Sequence, residues 1–382
     1  MKPVDAHQGG KVRFFVIADD LTGACDSAIA FAQRGLAVEV LLEGNVESST
    51  DGTWAVSTGS RDVPEEIAVQ RVRDSLMRAA QAREIFKKVD SVFRGNSFAE
   101  IRAAVDFSSC DLAVMSPAYP LMGRTVKGGI LRIAEAGEER IVDLCDGLAR
   151  AGMSEVALLH SGCAARPMSE RIRNVLKAGK KFVLCDAESS EDLRSTVAEA
   201  RLCAEDILWI GSGGLAHALA SELPKLDTQQ RRRLRDGPVV LIVGSDHAVT
   251  RRQIEALKNR VPVLESAMED FLGPASESQV VVLNVTRNST TTDQIRQAFS
   301  LLAPHAIACC LLTGGDTAAL VCRALGVRSL RLHEEFAPGL PQGVAVGGLL
   351  DEVPVILKSG GFGNDDVLFE LSSRFTVRKE LA

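Results

Sequence analysis

The chain has 382 residues, too many for one ordinary hydrophobic core, so two domains are expected. Hydrophobic residues make up 46% and charged residues 25%, a globular composition that excludes wholesale disorder. A formal net charge of −6 excludes a broad basic field for nucleic acid, and no run of 18 apolar residues offers a membrane span.

The first dozen residues are polar and lack the apolar stretch of a signal peptide. They are read as a loose tail, which makes a cytoplasmic location the expectation. Nine cysteines occur without C-x-x-C spacing and six histidines are scattered, so reduced structural thiols are expected and a zinc site is not.

Short apolar runs alternate with helical patterns along the chain, the signature of a mainly parallel sheet. Phe14 to Ala18 is predicted as the first strand, Leu21 to Arg34 as a helix closed by Gly35, and Val38 to Leu42 and Trp54 to Ser57 as strands. Glu65 to Arg83 has amphipathic spacing, and strands follow at Ile85 to Val89, Leu112 to Met115, Val156 to Leu159, Phe182 to Leu184 and Ile207 to Ile210. The charged segment Glu222 to Gly237, with Arg231-Arg232-Arg233 as a solvated face, is the linker candidate. The boundaries are set at 1–225, a linker at 226–237, and 238–382.

After the linker the pattern restarts. Val239 to Val243 is a strand, Thr250 to Leu257 a helix, Val280 to Asn284 and Ile307 to Leu312 strands, Ala318 to Leu325 a helix closed by Gly326, and Val355 to Leu357 a strand. Cys309-Cys310 falls in an apolar run and reads as strand core.

Parallel sheets bind ligands at the carboxyl ends of their strands, and three places fit that rule. Asp19 and Asp20 directly follow the first strand. One carboxylate is expected to cap the next helix, while the other accepts the proton of a hydroxyl or binds hydroxyls. In Lys87-Lys88-Val89-Asp90-Ser91-Val92-Phe93-Arg94, Arg94 offers a two-pronged clamp for a carboxylate, and Lys88 and Arg61 can join it; a solvated basic turn is the plainer alternative. In the C-terminal half, Gly244-Ser245, Thr313-Gly314-Gly315-Asp316-Thr317 and Lys358-Ser359-Gly360-Gly361-Phe362-Gly363 each follow a strand. Each alone is a plain turn, whereas three together suggest an anion site of nucleotide size.

Taken in order, these segments resemble the four-carbon acid sugar kinase family. The matching stretches are Ile17 to Ala24, Gly59-Ser60-Arg61, Lys88 to Asn96, Ser116 to Pro120 with Gly123-Arg124-Thr125, Gly211 to Ala216, and the three Gly-rich turns. The resemblance implies two α/β domains, each a mainly parallel sheet flanked by helices, with the active site in the cleft between them. It implies that Asp19, Asp20, Arg61, Lys88, Ser91, Arg94 and Arg124 face the acid sugar, with Asp20 or Asp19 as the catalytic base. Ser245, Gly314, Gly315, Asp316, Thr317 and Gly360 or Gly361 would face ATP. Mg²⁺ would bridge phosphates with few protein ligands, Asp316 being one candidate, though it could equally cap the following helix. The γ-phosphoryl group would pass to the 4-hydroxyl of a threonate- or erythronate-like acid. The expected partners are those two small molecules, not nucleic acid or membrane, and a homodimer is left open. The chain departs from the family pattern in its short, proline-free Ile130 to Gly152 segment, in Asp246-His247-Ala248 and in Val92-Phe93. Two rival readings are a sugar-acid-binding protein without turnover and a dinucleotide-dependent dehydrogenase. The second needs a Gly-rich first turn, where the chain has two carboxylates.

Overall fold

The computed structural model describes residues 13–42, 52–135, 137–161, 166–226, 235–244, 247–274, 279–286, 289–302 and 307–375. The chain divides into two compact units, Met1–Val38 with Glu47–Leu226, and Glu39–Val46 with Asp227–Ala382. Most of the expected linker, including Arg231 to Arg233, lies outside the described residues, as does Ser245.

The first unit opens with β1 (Phe14–Ala18), α1 (Leu21–Ala32), β2 (Ala37–Leu41, within which the division falls), β3 (Gly52–Ser57), α2 (Glu65–Arg78) and β4 (Glu84–Lys88). It continues through α3 (Ser97–Phe107), β5 (Leu112–Ser116), β6 (Arg124–Lys127), β7 (Ile130–Glu135), β8 (Glu138–Asp143) and α4 (Leu144–Arg150). It closes with β9 (Ala157–Leu159), α5 (Met168–Lys177), β10 (Phe182–Cys185), α6 (Ser190–Arg201), β11 (Ile207–Gly211) and α7 (Gly213–Ser221). Its main sheet runs β3-β1-β4-β11-β5-β10-β9, parallel throughout.

Both faces of this sheet are covered, which explains why β1, β5 and β11 read as unbroken apolar runs rather than alternating ones. Helix α1 is buried along its whole length. Its Gly and Ala residues let it pack between the sheet and α7.

A second, antiparallel sheet β6-β7-β8 fills the segment that the sequence reading left without elements. Gly128 and Gly129, with φ of 62° and 73°, form the two-residue turn joining Lys127 to its partner Ile130. Positive φ at both central positions is the demand of a tight hairpin turn, and glycine meets it without strain.

The second unit contains β12 (Val239–Val243), α8 (Ala248–Lys258), β13 (Val263–Ala267), β14 (Val280–Asn284), α9 (Thr292–Leu302), β15 (Cys309–Thr313) and α10 (Gly315–Ala324). Then follow β16 (Ser329–Ala337), β17 (Leu340–Val346), β18 (Pro354–Lys358) and α11 (Val367–Phe375). The order is β13-β14-β12-β15-β18-β17-β16. The first five strands are parallel and β17 runs antiparallel to both neighbours. Leu241 pairs with Val282 and Leu311, and Leu311 with Ile356, in a core closed by Leu257 and Leu371. Cys309 and Cys310 are buried in β15, as strand core. The strands β13, β16 and β17 were not anticipated from sequence.

Candidate active site

Register brings the first group of residues together. Ala18 lies opposite Ser57, Ile17 opposite Lys87, and Lys88 opposite Gly211, which in turn faces Ser116. The carboxyl ends of β1, β3, β4, β11 and β5 therefore align, and the loops carrying Asp19-Asp20, Arg61 and Asp90 to Arg94 leave from one end of the sheet.

At that end the charges form one connected network. Arg61 donates from Nε to Asp19 Oδ2 (2.7 Å), from Nη2 to Asp19 Oδ1 (3.0 Å), and from Nη1 to Asp20 Oδ2 (2.7 Å). Its Nη2 also lies 3.3 Å from Asp90 Oδ1. Asp90 in turn takes a fork from Arg94, Nε to Oδ2 at 3.0 Å and Nη2 to Oδ1 at 2.7 Å. The three carboxylates are buried, whereas the Arg94 side chain is 59% exposed.

The two adjacent aspartates have different surroundings. Asp20 is the N-cap of α1: its Oδ1 accepts from the Gly23 N–H (2.7 Å) and its Oδ2 from the Thr22 hydroxyl (2.7 Å). Burial pushes its carboxyl up, but the Arg61 and Lys88 charges with these two hydrogen bonds outweigh it and hold Asp20 below the usual carboxylate range. For Asp19, burial and the Asp20 charge win over Arg61 and Lys88, and its carboxyl is held above that range. Asp90, buried yet bonded to Arg94 and beside Arg61, sits well below it. Arg61, amid three carboxylates, is driven up despite its burial.

Lys88 Nζ and Asp20 Oδ1 both flank Gly23, which places the Lys88 charge at this cluster. Ser91 lies in the turn between Asp90 and Arg94, where Asp90 Oδ2 accepts from the Arg94 N–H (3.0 Å). Arg124 starts β6 and is buried. Its described partners are the Met122 carbonyl and Glu135 Oε2 (3.4 Å), so no bond joins it to the aspartates, and its Nε has no partner among the described residues.

Beneath the network lies a layer that sequence reasoning did not single out. Lys87 and Glu100 form a buried ion pair (2.7 Å), and Ser60 Oγ donates to the other Glu100 oxygen (2.5 Å). The Ser60 N–H reaches the Asp19 carbonyl (3.0 Å), and Asn96 Nδ2 holds the Ser60 carbonyl (2.9 Å). The residue before Arg61 is thus fixed from three sides. The signals were present: two lysines, Lys87 and Lys88, closing β4, and Asp90 four positions before Arg94.

In the second unit, Val243, Thr313 and Lys358 are register partners, so the turns after β12, β15 and β18 leave side by side. Gly314, at φ 87°, is the N-cap position of α10, and its N–H reaches the Lys358 carbonyl (2.9 Å). Asp316 is therefore not the cap; it is exposed in the first turn. Gly315 begins the helix, and Thr317 packs onto Gly244, where a Cβ would clash with Thr317 Oγ1. The Gly360-Gly361 turn is tied to α8: Thr250 Oγ1 donates to the Gly360 carbonyl (2.9 Å), and Gln253 Nε2 to the carbonyls of Phe362, Gly363 and Asn364.

Glycine turns at a helix N-terminus suit a polyphosphate. The first turn of the first unit does not, because the Asp20 carboxylate already occupies the N-terminus of α1. Among the described residues no three His, Cys, Asp or Glu side chains gather to hold a metal ion, and no helix is long and apolar enough to cross a membrane.

Comparison with known proteins agrees with this division of chemistry. A family model described as a sugar-binding N-terminal domain matches residues 14–143 and 138–219, and one described as a nucleotide-binding C-terminal domain matches 283–368. The D-threonate kinase of Bordetella bronchiseptica is 28% identical, over 95% of this chain and 98% of its own length. The D-erythronate kinase of Heliobacterium modesticaldum is 25% identical, over 92% of this chain and 94% of its own. A Haemophilus influenzae crystal structure shares the fold, with a TM-score of 0.70 at 23% identity, covering 95% of this chain and 100% of that one.

Proposed function

The chain belongs to the family built from a sugar-binding N-terminal domain and a nucleotide-binding C-terminal domain, and on that premise we propose that it is an ATP-dependent kinase of a four-carbon acid sugar, D-threonate or D-erythronate, acting at the 4-hydroxyl. The observation that carries this reading is the buried network of Asp19, Asp20, Arg61 and Asp90 at the carboxyl end of the sugar-binding sheet.

The reaction needs positioning and charge more than covalent help. The substrate's 4-hydroxyl oxygen bonds to the γ-phosphorus, the bond from that phosphorus to the β–γ bridging oxygen breaks, and ADP leaves with the electron pair. The hydroxyl proton goes to Asp19. Its raised proton affinity makes it the better acceptor, while Asp20 is committed to capping α1 and orienting Arg61. Arg94, exposed beyond its Asp90 fork, and Lys88 supply positive charge for the substrate carboxylate. Arg124, buried and with no partner for its Nε among the described residues, is the further cation for that acid.

Gly314, Gly315, Thr317, Gly360 and Gly361 hold the ATP phosphates, joined by Ser245. Mg²⁺ suits this half because such ions keep most of their waters and need few carboxylates. Asp316, exposed beside the glycine turn, is the side chain to hold it, and the ion would neutralise phosphate charge.

The test is ADP release with ATP and Mg²⁺ across D-threonate, D-erythronate, L-threonate and 3-oxo-tetronates. Turnover with one of them is expected. Binding of an acid without ADP release on any would replace the kinase with a sugar-acid-binding protein.

A further inference from the structure

Lys358 is fully buried at the end of β18, and its charge has no carboxylate partner among the described residues. Its Nζ donates instead to neutral oxygens: Thr250 Oγ1 (3.1 Å), the Ser359 carbonyl (3.2 Å) and the Gly360 carbonyl (2.9 Å). An ammonium buried without an anion is costly, so something must compensate for it.

The geometry shows what the lysine achieves. Every described peptide bond is trans, and in a planar trans peptide the C=O and N–H point in opposite directions. Drawing the Ser359 and Gly360 carbonyls onto Lys358 therefore turns the N–H groups of Gly360 and Gly361 away from it. Neither N–H donates to a backbone carbonyl among the described residues. Two successive free N–H groups beside a buried positive charge form an anion nest.

On the nucleotide-site reading above, we infer that Lys358 is a positioning residue that shapes the Gly360-Gly361 turn into a phosphate cradle and serves as its counter-charge, so that nucleotide binding takes up a proton at this lysine. The neighbouring groups favour this. β15 presents Thr313 opposite Lys358, and α8 presents Thr250 and Gln253, none of them charged. The charged side chains on the flanking helices, Arg251, Arg252, Glu255 and Lys258 of α8 and Asp316 and Arg323 of α10, are exposed, as is His247 at the α8 N-cap. Burial pushes the Lys358 ammonium down to about 7, and a bound polyphosphate drives it back up.

The experiment is calorimetric titration of the full chain with ADP at about pH 8, in buffers of different ionisation enthalpy. There the phosphate itself is already ionised, its last pKa being about 6. The wild type is expected to take up close to one proton per ADP, and its Kd to weaken towards tenfold per pH unit above about pH 7.5. Lys358→Met should abolish the uptake and flatten the pH dependence. Lys358→Arg should bind without uptake, and His247→Asn should leave the uptake intact. ADP binding to the wild type with no proton uptake would overturn the inference about Lys358 alone. No ADP binding at any pH would overturn the nucleotide-site reading itself. The wild-type measurement decides between these even if a Lys358 variant does not fold.

Discussion

Asp19 and Asp20 are sequence neighbours with different surroundings, and substitution should separate them. Asp19→Asn is expected to lower kcat by about 10²–10⁴-fold with a much smaller change in KM. Asp20→Asn keeps a capping oxygen and should lose less turnover, whereas Asp20→Ala should also cost about 1 kcal/mol for the missing cap, read from urea midpoints. A larger kcat loss in Asp20→Asn than in Asp19→Asn would return the base role to Asp20. The depressed carboxyls of Asp20 and Asp90 also set an acid limit. A group lowered on folding stabilises fully above its unfolded pKa of about 3.9, and that stability is lost as pH falls through the folded value. Urea midpoints should therefore fall below about pH 4, and less steeply in Asp90→Asn. The sequence showed that a carboxylate pair follows β1 and that one member would cap. It could not assign the roles, because Arg61 reaches the pair from the loop after β3, some forty residues away.

Elements matter here because they hold these groups still. Glu100 of α3 secures the loop before Arg61 through Ser60 while neutralising Lys87 of β4. Glu100→Ala should cost about 3–5 kcal/mol, since it leaves a buried lysine unpaired, and Glu100→Ala with Lys87→Met should cost less. Denaturant midpoints of the two variants check this. In the second unit, Gly244→Ala would drive a methyl into Thr317 and should weaken ADP binding while leaving acid-sugar binding in place, both measured by calorimetry. The elements themselves were unevenly legible. The all-buried parallel strands announced themselves as apolar runs. The hairpin at Gly128-Gly129 carried its signal too, a Gly-Gly pair followed by the alternation of Leu131, Arg132 and Ile133, but it fell in a segment read for its shortness. In β16 the charged Arg331, Glu334 and Glu335 mask the strand period.

For the whole molecule the expectation is stabilisation by both ligands. A ligand that binds only the folded state at a hundred times its Kd adds about 2.7 kcal/mol. ATP alone and the acid alone should each raise the melting temperature, and an acid that does not is not the substrate. Thiol chemistry offers a second whole-molecule readout. Burial pushes the Cys185 and Cys322 thiols up to about 12 and holds Cys310 well above the usual thiol range, so labelling them should await unfolding.

The sequence alone determined the parallel α/β alternation, the aspartate pair after β1 and the glycine turns after β12, β15 and β18. Each is written in local periodicity or in residues a few positions apart. Tertiary structure decided that Asp20 is the cap, that Asp90 and Arg94 close on each other beside Arg61, that Glu100 supports Ser60, and that Lys358 turns two peptide N–H groups outward. Those relations depend on strand register and on which groups are removed from water together, and neither is a property of any one stretch of chain.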